Sequence, residues 1–129
     1  MKKAFSLMIA IVMILSLAGC SKYSPKYKAV GFVHSNDSSS AYMNFYSFEG
    51  RMVFRLNSPG EGAVKYSAKL ESGTATVYYD YLGTKSELVS VSGGDELDSY
   101  GGYVDVGTVT IIVETNGECR NGEFRFNLG

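Results

Sequence analysis

Apolar and polar residues alternate along most of the chain beyond residue 28, which is the pattern of half-buried antiparallel strands. In the clearest stretch, residues 64–71, the apolar positions are Val64, Tyr66, Ala68 and Leu70. In the stretch 123–128 they are Phe124, Phe126 and Leu128. Each stretch therefore predicts a strand with one face in the core and the other in water.

Further strands are predicted where aromatic and β-branched residues are frequent, at 29–34, 41–48, 51–56, 74–81, 88–91, 103–106 and 108–115. Turn-forming residues separate them at the roughly 8–12-residue spacing typical of small all-β domains. We expect a tight turn at Glu49-Gly50 and a long glycine-rich loop over residues 92–102. The pattern predicts an all-β domain, a single antiparallel β-sandwich of about seven to nine short strands.

The first 19 residues differ from the rest and are typical of an export signal. Lys2 and Lys3 precede an apolar run over residues 4–17. A spanning helix needs roughly 20 apolar residues, so this run is short for a transmembrane segment and has the length of a signal-peptide core. We expect residues 1–19 to be a helical signal peptide that is cleaved from the mature protein.

The four residues Leu17-Ala18-Gly19-Cys20 resemble the lipobox of bacterial lipoproteins. The resemblance implies cleavage between Gly19 and Cys20 and a diacylglyceryl group on the Cys20 sulfur. The protein would then be held by lipid on the extracytoplasmic side of the cell membrane or outer membrane. Ser21 permits outer-membrane delivery under Gram-negative sorting rules and carries no such meaning in a Gram-positive cell. The alternative is an uncleaved signal anchor with a chance cysteine.

Residues 20–28 are predicted to be a short tether, and residues 29–129 one β-sandwich domain. The lysines of the tether either lie against anionic headgroups or belong to a solvated spacer. From Ala63 onward the chain also resembles small β-sandwich lipoproteins of gut and soil bacteria that have no assigned function. This likeness rests on the alternation of strands and glycine turns and on the closing segments 109–113 and 122–126. It implies the fold and no activity.

Charge and residue types exclude several classes of function. Without Lys2 and Lys3 the acidic residues outnumber the basic ones, and no basic patch with interleaved aromatic residues suggests a nucleic-acid partner. His34 is the only histidine, so neither a histidine zinc site nor a Ser-His-Asp triad can be assembled around more than one imidazole. We expect no enzyme activity and no cofactor. Cys119, left over once Cys20 is lipidated, is interpreted as a buried thiol, a reactive thiol or an intermolecular link.

Three carboxylates lie close together in the predicted loop 92–102, at Asp95, Glu96 and Asp98. Carboxylates are the ligands that Ca²⁺ prefers, but their spacing is not that of an EF-hand loop. These residues are weak candidates for a calcium site, and a solvated acidic loop is the alternative.

Tyrosine is the remaining unusual feature, with ten residues and no tryptophan. By the two-residue period of a strand, Tyr42 and Tyr46 share one face, and Tyr79 and Tyr81 share another. These four are the candidate binding residues, because exposed tyrosines offer flat contact area at low entropic cost. Alternatively, they fill strands simply because they fit a pleated surface.

Two functions remain open from these observations. The first, which we expect, is a lipid-anchored, non-catalytic module that binds another protein of the bacterial envelope. The alternative is a carbohydrate- or cell-wall-binding module that uses the tyrosines, with or without calcium. An exposed row of rings flanked by polar residues would favour the glycan, and a continuous apolar patch would favour the protein partner.

Overall fold

The structure, a computed structural model, describes residues 23–128. The expected signal peptide, the lipobox and the lipidated Cys20 lie outside these residues. Within 23–128 the regular structure consists of nine strands. Their bounds are β1 Lys26–Val30, β2 Val33–Asn36, β3 Ser40–Ser58, β4 Gly62–Ser72, β5 Thr74–Tyr81, β6 Thr84–Ser92, β7 Glu96–Val104, β8 Gly107–Thr115 and β9 Cys119–Leu128.

All strand pairs are antiparallel, and the sheet folds into two packed layers. Residues 51–58 of β3 pair with β8, which is followed by β5 and β6. Residues 40–48 of β3 pair with β9, which is followed by β4 and β7. We call these the β8 layer and the β9 layer. β8 and β9 pair along one edge of β3, and β1 and β2 pair along its opposite edge. The predicted antiparallel β-sandwich is confirmed.

Glycines let the chain cross between the layers. Gly50 interrupts the regular twist of β3 with a φ of 131°, and a side chain there would collide with the carbonyl oxygen of Lys26 on β1. Gly73 joins β4 to β5 with a φ of 98°, and a Cβ would lie 2.7 Å from the sulfur of Cys119. Because only glycine adopts such backbone angles readily, both positions favour a bend.

The inward faces of both layers meet in one apolar core. Phenylalanine rings fill its centre, and the ring of Phe54 in the β8 layer lies 6.2 Å from that of Phe126 in the β9 layer. Ile111 and Val77 are fully buried on the β8-layer side. Burying side chains of this kind contributes about 1.5–3 kcal/mol each, and this burial holds the two layers together.

Three local predictions are wrong. The predicted strand 29–34 is divided between β1 and β2, and residues 26–28 of the predicted tether belong to β1. The expected turn at Glu49-Gly50 is a bend inside the 19-residue strand β3, so two predicted strands are one. The expected loop over 92–102 is a turn at Gly93-Gly94 followed by β7, which pairs with β4. The sequence did not predict this edge strand because its glycines weaken the strand pattern, although they do not prevent pairing.

Cys119 is buried at the junction of the two layers. Its thiol lies 3.4 Å from the carbonyl oxygen of Thr74, and burial raises its pKa. A thiol that is buried and protonated is a poor nucleophile, so of the three interpretations the structure favours a packed core residue.

Candidate functional site

The outer face of the β9 layer carries polar side chains in register across four strands. On β3 the outward positions are Tyr42, Asn44 and Tyr46. Tyr42 is the direct partner of Arg125 on β9, and Arg125 is the partner of Ser67 on β4. Ser67 in turn faces Asp98 on β7. A neighbouring row is formed by Ser40, Asn127, Lys65 and Tyr100.

All residues of these two rows except Tyr100 line an open groove of about 760 Å³, which we call the Tyr42 groove. It runs across the strands from β3 to β7, three strand spacings or about 14 Å. Most of its outward side chains carry hydroxyl, amide or charged groups, namely Ser35, Ser40, Tyr42, Lys65, Ser67, Asp98, Arg125 and Asn127. The groove can therefore donate and accept hydrogen bonds along its whole length.

A stacked pair of side chains lies at the β3 end of the groove. The guanidinium carbon of Arg125 is 4.4 Å from the centre of the Tyr42 ring, within the range of a cation–π contact. The Nε of Arg125 donates to a carboxylate oxygen of Glu123 at 2.9 Å, and the Asn44 amide donates to the Tyr42 hydroxyl. These bonds fix both groups, so the groove has a preorganised planar surface at this end.

Two further tyrosines lie beyond the opposite end of the groove, on the edge strand β7, and Tyr103 lines a separate hollow with Gly62 and Val104. Tyr100 is 61% exposed and Tyr103 is 74% exposed, and their ring centres lie 6.5 Å apart in an edge-to-face arrangement. Because Tyr100 is the partner of Lys65, it continues the groove outward. Aromatic surface of this kind is available to a ligand without any rearrangement of the core.

Tyr46 lies on the same outer face as Tyr42 but belongs to a separate hollow of about 380 Å³. Its ring is 53% exposed and faces the guanidinium of Arg120 at 5.9 Å. The row of Asn44, Glu123 and Lys69 separates the hollow from the groove, and Lys69 pairs with Glu96 at 3.3 Å. The structure thus brings Tyr42 and Tyr46 to one face without joining them in one site.

Tyr79 and Tyr81 do not form an exposed platform. Both point inward from β5 and pack against the core cluster as partly buried residues. The ring of Tyr79 covers Gly102, where a Cβ would lie 3.0 Å from the ring, and the Tyr81 hydroxyl donates to the carbonyl oxygen of Val106. Their role is to close one end of the sandwich.

The three acidic candidates are divided between a turn and a strand. A carboxylate oxygen of Asp95 accepts the backbone N–H of Ser92 at 2.8 Å, while Glu96 and Asp98 lie on β7. Within residues 23–128, no group of three or more histidine, cysteine or acidic side chains is placed to hold a metal ion. Asp98 instead lines the Tyr42 groove.

Sequence reasoning missed Lys65, Tyr100, Arg125 and Asn127 as site residues. Lys65, Arg125 and Asn127 are outward residues of correctly predicted strands, where no local feature distinguishes them. Tyr100 lies in the stretch 92–102 that was predicted to be a loop and forms part of β7. What joins them is the pairing of β3, β9, β4 and β7, and strand order is set by contacts far apart in the sequence. His34, by contrast, is exposed on β2 and stacks on Phe32 at 4.9 Å.

Comparisons with known proteins identify the fold. No protein-family model matches the sequence, and a search of the curated proteins finds no match. Among solved structures, the chain is similar to a family 61 carbohydrate-binding module in complex with β-1,4-galactotriose. That match has a TM-score of 0.53 and 19% identity, and covers 81% of this chain and 87% of that one.

Two further similar structures have TM-scores of 0.42. One is a family 29 carbohydrate-binding module, with 15% identity and coverage of 81% of this chain and 79% of that one. The other is the C-terminal family 6 module of a marine laminarinase from Zobellia galactanivorans, with 13% identity and coverage of 81% and 99%. The family 61 likeness establishes a shared β-sandwich fold.

The expectation of a protein-interaction module is contradicted by the likeness to the family 61 carbohydrate-binding module, which fits the carbohydrate-binding alternative better. The sequence favoured a protein partner only because a small all-β domain on a lipid anchor requires nothing more. The Tyr42 groove is lined mainly by polar side chains, whereas a protein partner was expected to need a continuous apolar patch. Among the residues that the structure describes, no helix has the length and apolar character of a membrane span.

Proposed function

We propose that this protein is a non-catalytic carbohydrate-binding module that holds a glycan in the Tyr42 groove. The observation that carries the proposal is the stacked Tyr42–Arg125 pair in the floor of an open polar groove on a sandwich of this fold. The similar family 61 module was solved with β-1,4-galactotriose, which supports a glycan as the ligand class.

The chemistry of the groove suits a sugar. A pyranose ring has an apolar C–H face and a rim of hydroxyl groups, so it needs flat surface below it and hydrogen-bonding groups around it. The Tyr42–Arg125 pair supplies the flat surface, and Ser67 and Asn127 supply neutral hydrogen bonds. Lys65 and Asp98 add charged groups, whose hydrogen bonds are stronger than those between neutral partners.

The same face argues for binding without reaction. Ser35 lines the groove, whereas its neighbour His34 points to the opposite side of β2 and stacks on Phe32. Asp98 is the carboxylate in the lining, and glycoside hydrolysis ordinarily uses a pair of carboxyl groups that flank the scissile bond. Retention of the glycan is therefore the function that we assign to the groove.

The location that we propose follows from the N-terminal sequence. The lipobox at Leu17-Ala18-Gly19-Cys20 supports acylation of Cys20, and two or three acyl chains anchor a protein firmly. The module would then hold cell-wall or environmental polysaccharide at the cell surface or in the periplasm.

A direct test is co-sedimentation of the protein beginning at Ser21 with insoluble polysaccharides and purified cell-wall fractions, followed by calorimetry with soluble oligosaccharides. A β-1,4-linked galactan belongs in the panel because of the family 61 complex. Saturable binding to at least one glycan supports the proposal. Absence of binding to every fraction, with and without calcium, would contradict it.

A further inference from the structure

The first described residue is fixed to the sandwich by contacts at both of its ends. The hydroxyl of Tyr23 donates to the Asp80 carboxylate on β5, and its carbonyl oxygen accepts a bond from the Arg55 side chain on β3 at 3.2 Å. The ammonium group of Lys85 on β6 lies 5.6 Å from the centre of the Tyr23 ring. We call this set of contacts the Tyr23 clamp.

The clamp lies on the outer face of the β8 layer. Asp80 pairs with Thr110 on β8, and Thr110 pairs with Arg55 on β3, so Tyr23 crosses three adjacent strands. Asp80 is only 8% exposed, and its second carboxylate oxygen accepts the backbone N–H of Gly83 at 3.0 Å. The acceptor of the clamp is therefore itself held in place, and Tyr23 cannot move far from this face while the bond exists.

Chain length restricts how far this face can be from an anchor at Cys20. Three peptide units separate Cys20 from Tyr23, and a fully extended chain advances at most about 3.6 Å per residue, or about 11 Å in all. A lipid-modified Cys20 sits at the membrane surface, so the clamped residue must lie within about 11 Å of the anchored residue. The Tyr42 groove lies on the outer face of the other layer.

The charges on the clamped face suit a membrane surface. Its outward basic residues on β1, β3 and β6 are Lys26, Arg51, Arg55 and Lys85, and its outward acidic residues on β5, β6 and β8 are Asp80, Glu87 and Glu114. Glu114 is paired with Arg51 and with Lys85, at 3.5 and 3.4 Å. With four basic and three acidic residues, this face has no net negative charge that anionic headgroups would repel. Basic residues near such a surface are attracted to it.

We infer that the Tyr23 clamp orients the domain on the membrane, with the outer face of the β8 layer toward the bilayer and the Tyr42 groove open on the side away from it. The inference rests on the lipid anchor at Cys20 that is proposed above. In this orientation the short tether and the clamp together keep the groove accessible. A glycan too large to enter the space between the domain and the membrane would still reach it.

The test uses the full-length lipidated protein in liposomes that contain a headgroup-labelled energy acceptor. Single cysteines for a donor dye replace either Glu87 on the clamped face or Glu96 on the outer face of the β9 layer, and the parent protein controls for labelling of the buried Cys119. Since packed sheets lie about 10 Å apart, we expect about twofold stronger transfer from position 87 than from position 96. The clamp variant Tyr23→Ala/Arg55→Ala should abolish the difference between the two positions, whereas Lys28→Ala, outside the clamp, should preserve it.

Equal transfer from the two positions, or a difference that survives loss of the clamp, would overturn the inferred orientation. A membrane-bound protein without acyl groups on Cys20, detected by mass spectrometry, would overturn the anchor and the orientation with it. Glycan binding by the protein beginning at Ser21 does not depend on either result. Failure of the orientation and failure of the glycan site are therefore distinguishable.

Discussion

The guanidinium of Arg125 lies over the ring of Tyr42 at 4.4 Å, and the two residues are direct partners across β3 and β9. Neither side chain is placed there by a loop. Both project from the central strands of the β9 layer, so the sheet fixes their backbone separation, and the hydrogen bonds with Glu123 and Asn44 orient the two side chains. A ligand that stacks on this pair therefore needs both residues.

Removing the ring should weaken glycan binding strongly. We expect Tyr42→Ala to raise the dissociation constant at least about tenfold, which corresponds to about 1.4 kcal/mol, because it removes the stacking surface and frees Arg125. Calorimetry on wild type and variant measures the change. Tyr78→Ala is a matched control, since Tyr78 has a similar cation–π contact with Lys85 at 4.3 Å but lies on the other layer. Equal losses in the two variants would contradict the location of the site.

The tyrosines at the β7 end should matter only for longer ligands. Tyr100 lies about three strand spacings, or about 14 Å, from Tyr42, and Tyr103 lies farther along β7, so both are beyond the reach of a single sugar ring. We expect Tyr100→Ala and Tyr103→Ala to lower affinity for an oligosaccharide several-fold while leaving a monosaccharide or disaccharide unaffected. Titrations with a series of chain lengths test this. An equal effect at every length would place both tyrosines outside a linear binding path.

Gly122 tests the packing of the β9 layer next to the Tyr46 hollow. A Cβ at this buried position would lie 2.3 Å from the Cζ atom of Phe45, so Gly122→Ala forces the ring to move. We expect a loss of about 1–3 kcal/mol in the free energy of unfolding, the usual cost of overpacking a core. Gly60→Ala should change little, because nothing lies within 4 Å of its added methyl group. Urea denaturation measures both variants, and Phe45→Leu should partly restore the Gly122→Ala protein.

The Tyr23 clamp predicts a dependence of stability on alkaline pH. Burial, together with the hydrogen bond and charge of Asp80, raises the pKa of Tyr23 from 10.0 to about 12. A raised pKa means that the folded state favours the protonated phenol, so its stabilisation is complete below pH 10 and is lost as the pH rises through about 12. The stability advantage of wild type over Tyr23→Phe should therefore decrease across that interval. A constant difference between the two proteins would show that the phenol does not donate to Asp80.

The sequence predicted the architecture because alternation survives in most strands, as in 64–71 and 123–128. It failed at Gly50 for a physical reason: a glycine with positive φ is typical of a turn, yet here it bends a strand whose pairing continues on both sides. It failed again at β7, where glycines dilute the strand signal. In both places, tertiary pairing determines the structure and local preference does not.

Only part of the site could be predicted from the sequence, and the tyrosines show why. Periodicity shows that Tyr42 and Tyr46 share a face and that Tyr79 and Tyr81 share a face, but not which face is buried. In β5 the inward residues are the tyrosines 79 and 81, and in β3 the inward residues are Met43 and Phe45. The partners of Tyr42 depend on strand order, which alternation does not encode.

The most direct test of the glycan site is backbone-amide NMR of the protein beginning at Ser21, titrated with β-1,4-galacto-oligosaccharides and the other glycans that co-sediment. We expect saturable shifts at Tyr42, Ser67, Arg125 and Asn127, extending to Tyr100 with longer chains, and none at Tyr79. Shifts that are absent with every glycan, or that cluster on the outer face of the β8 layer, would contradict the assignment of the Tyr42 groove.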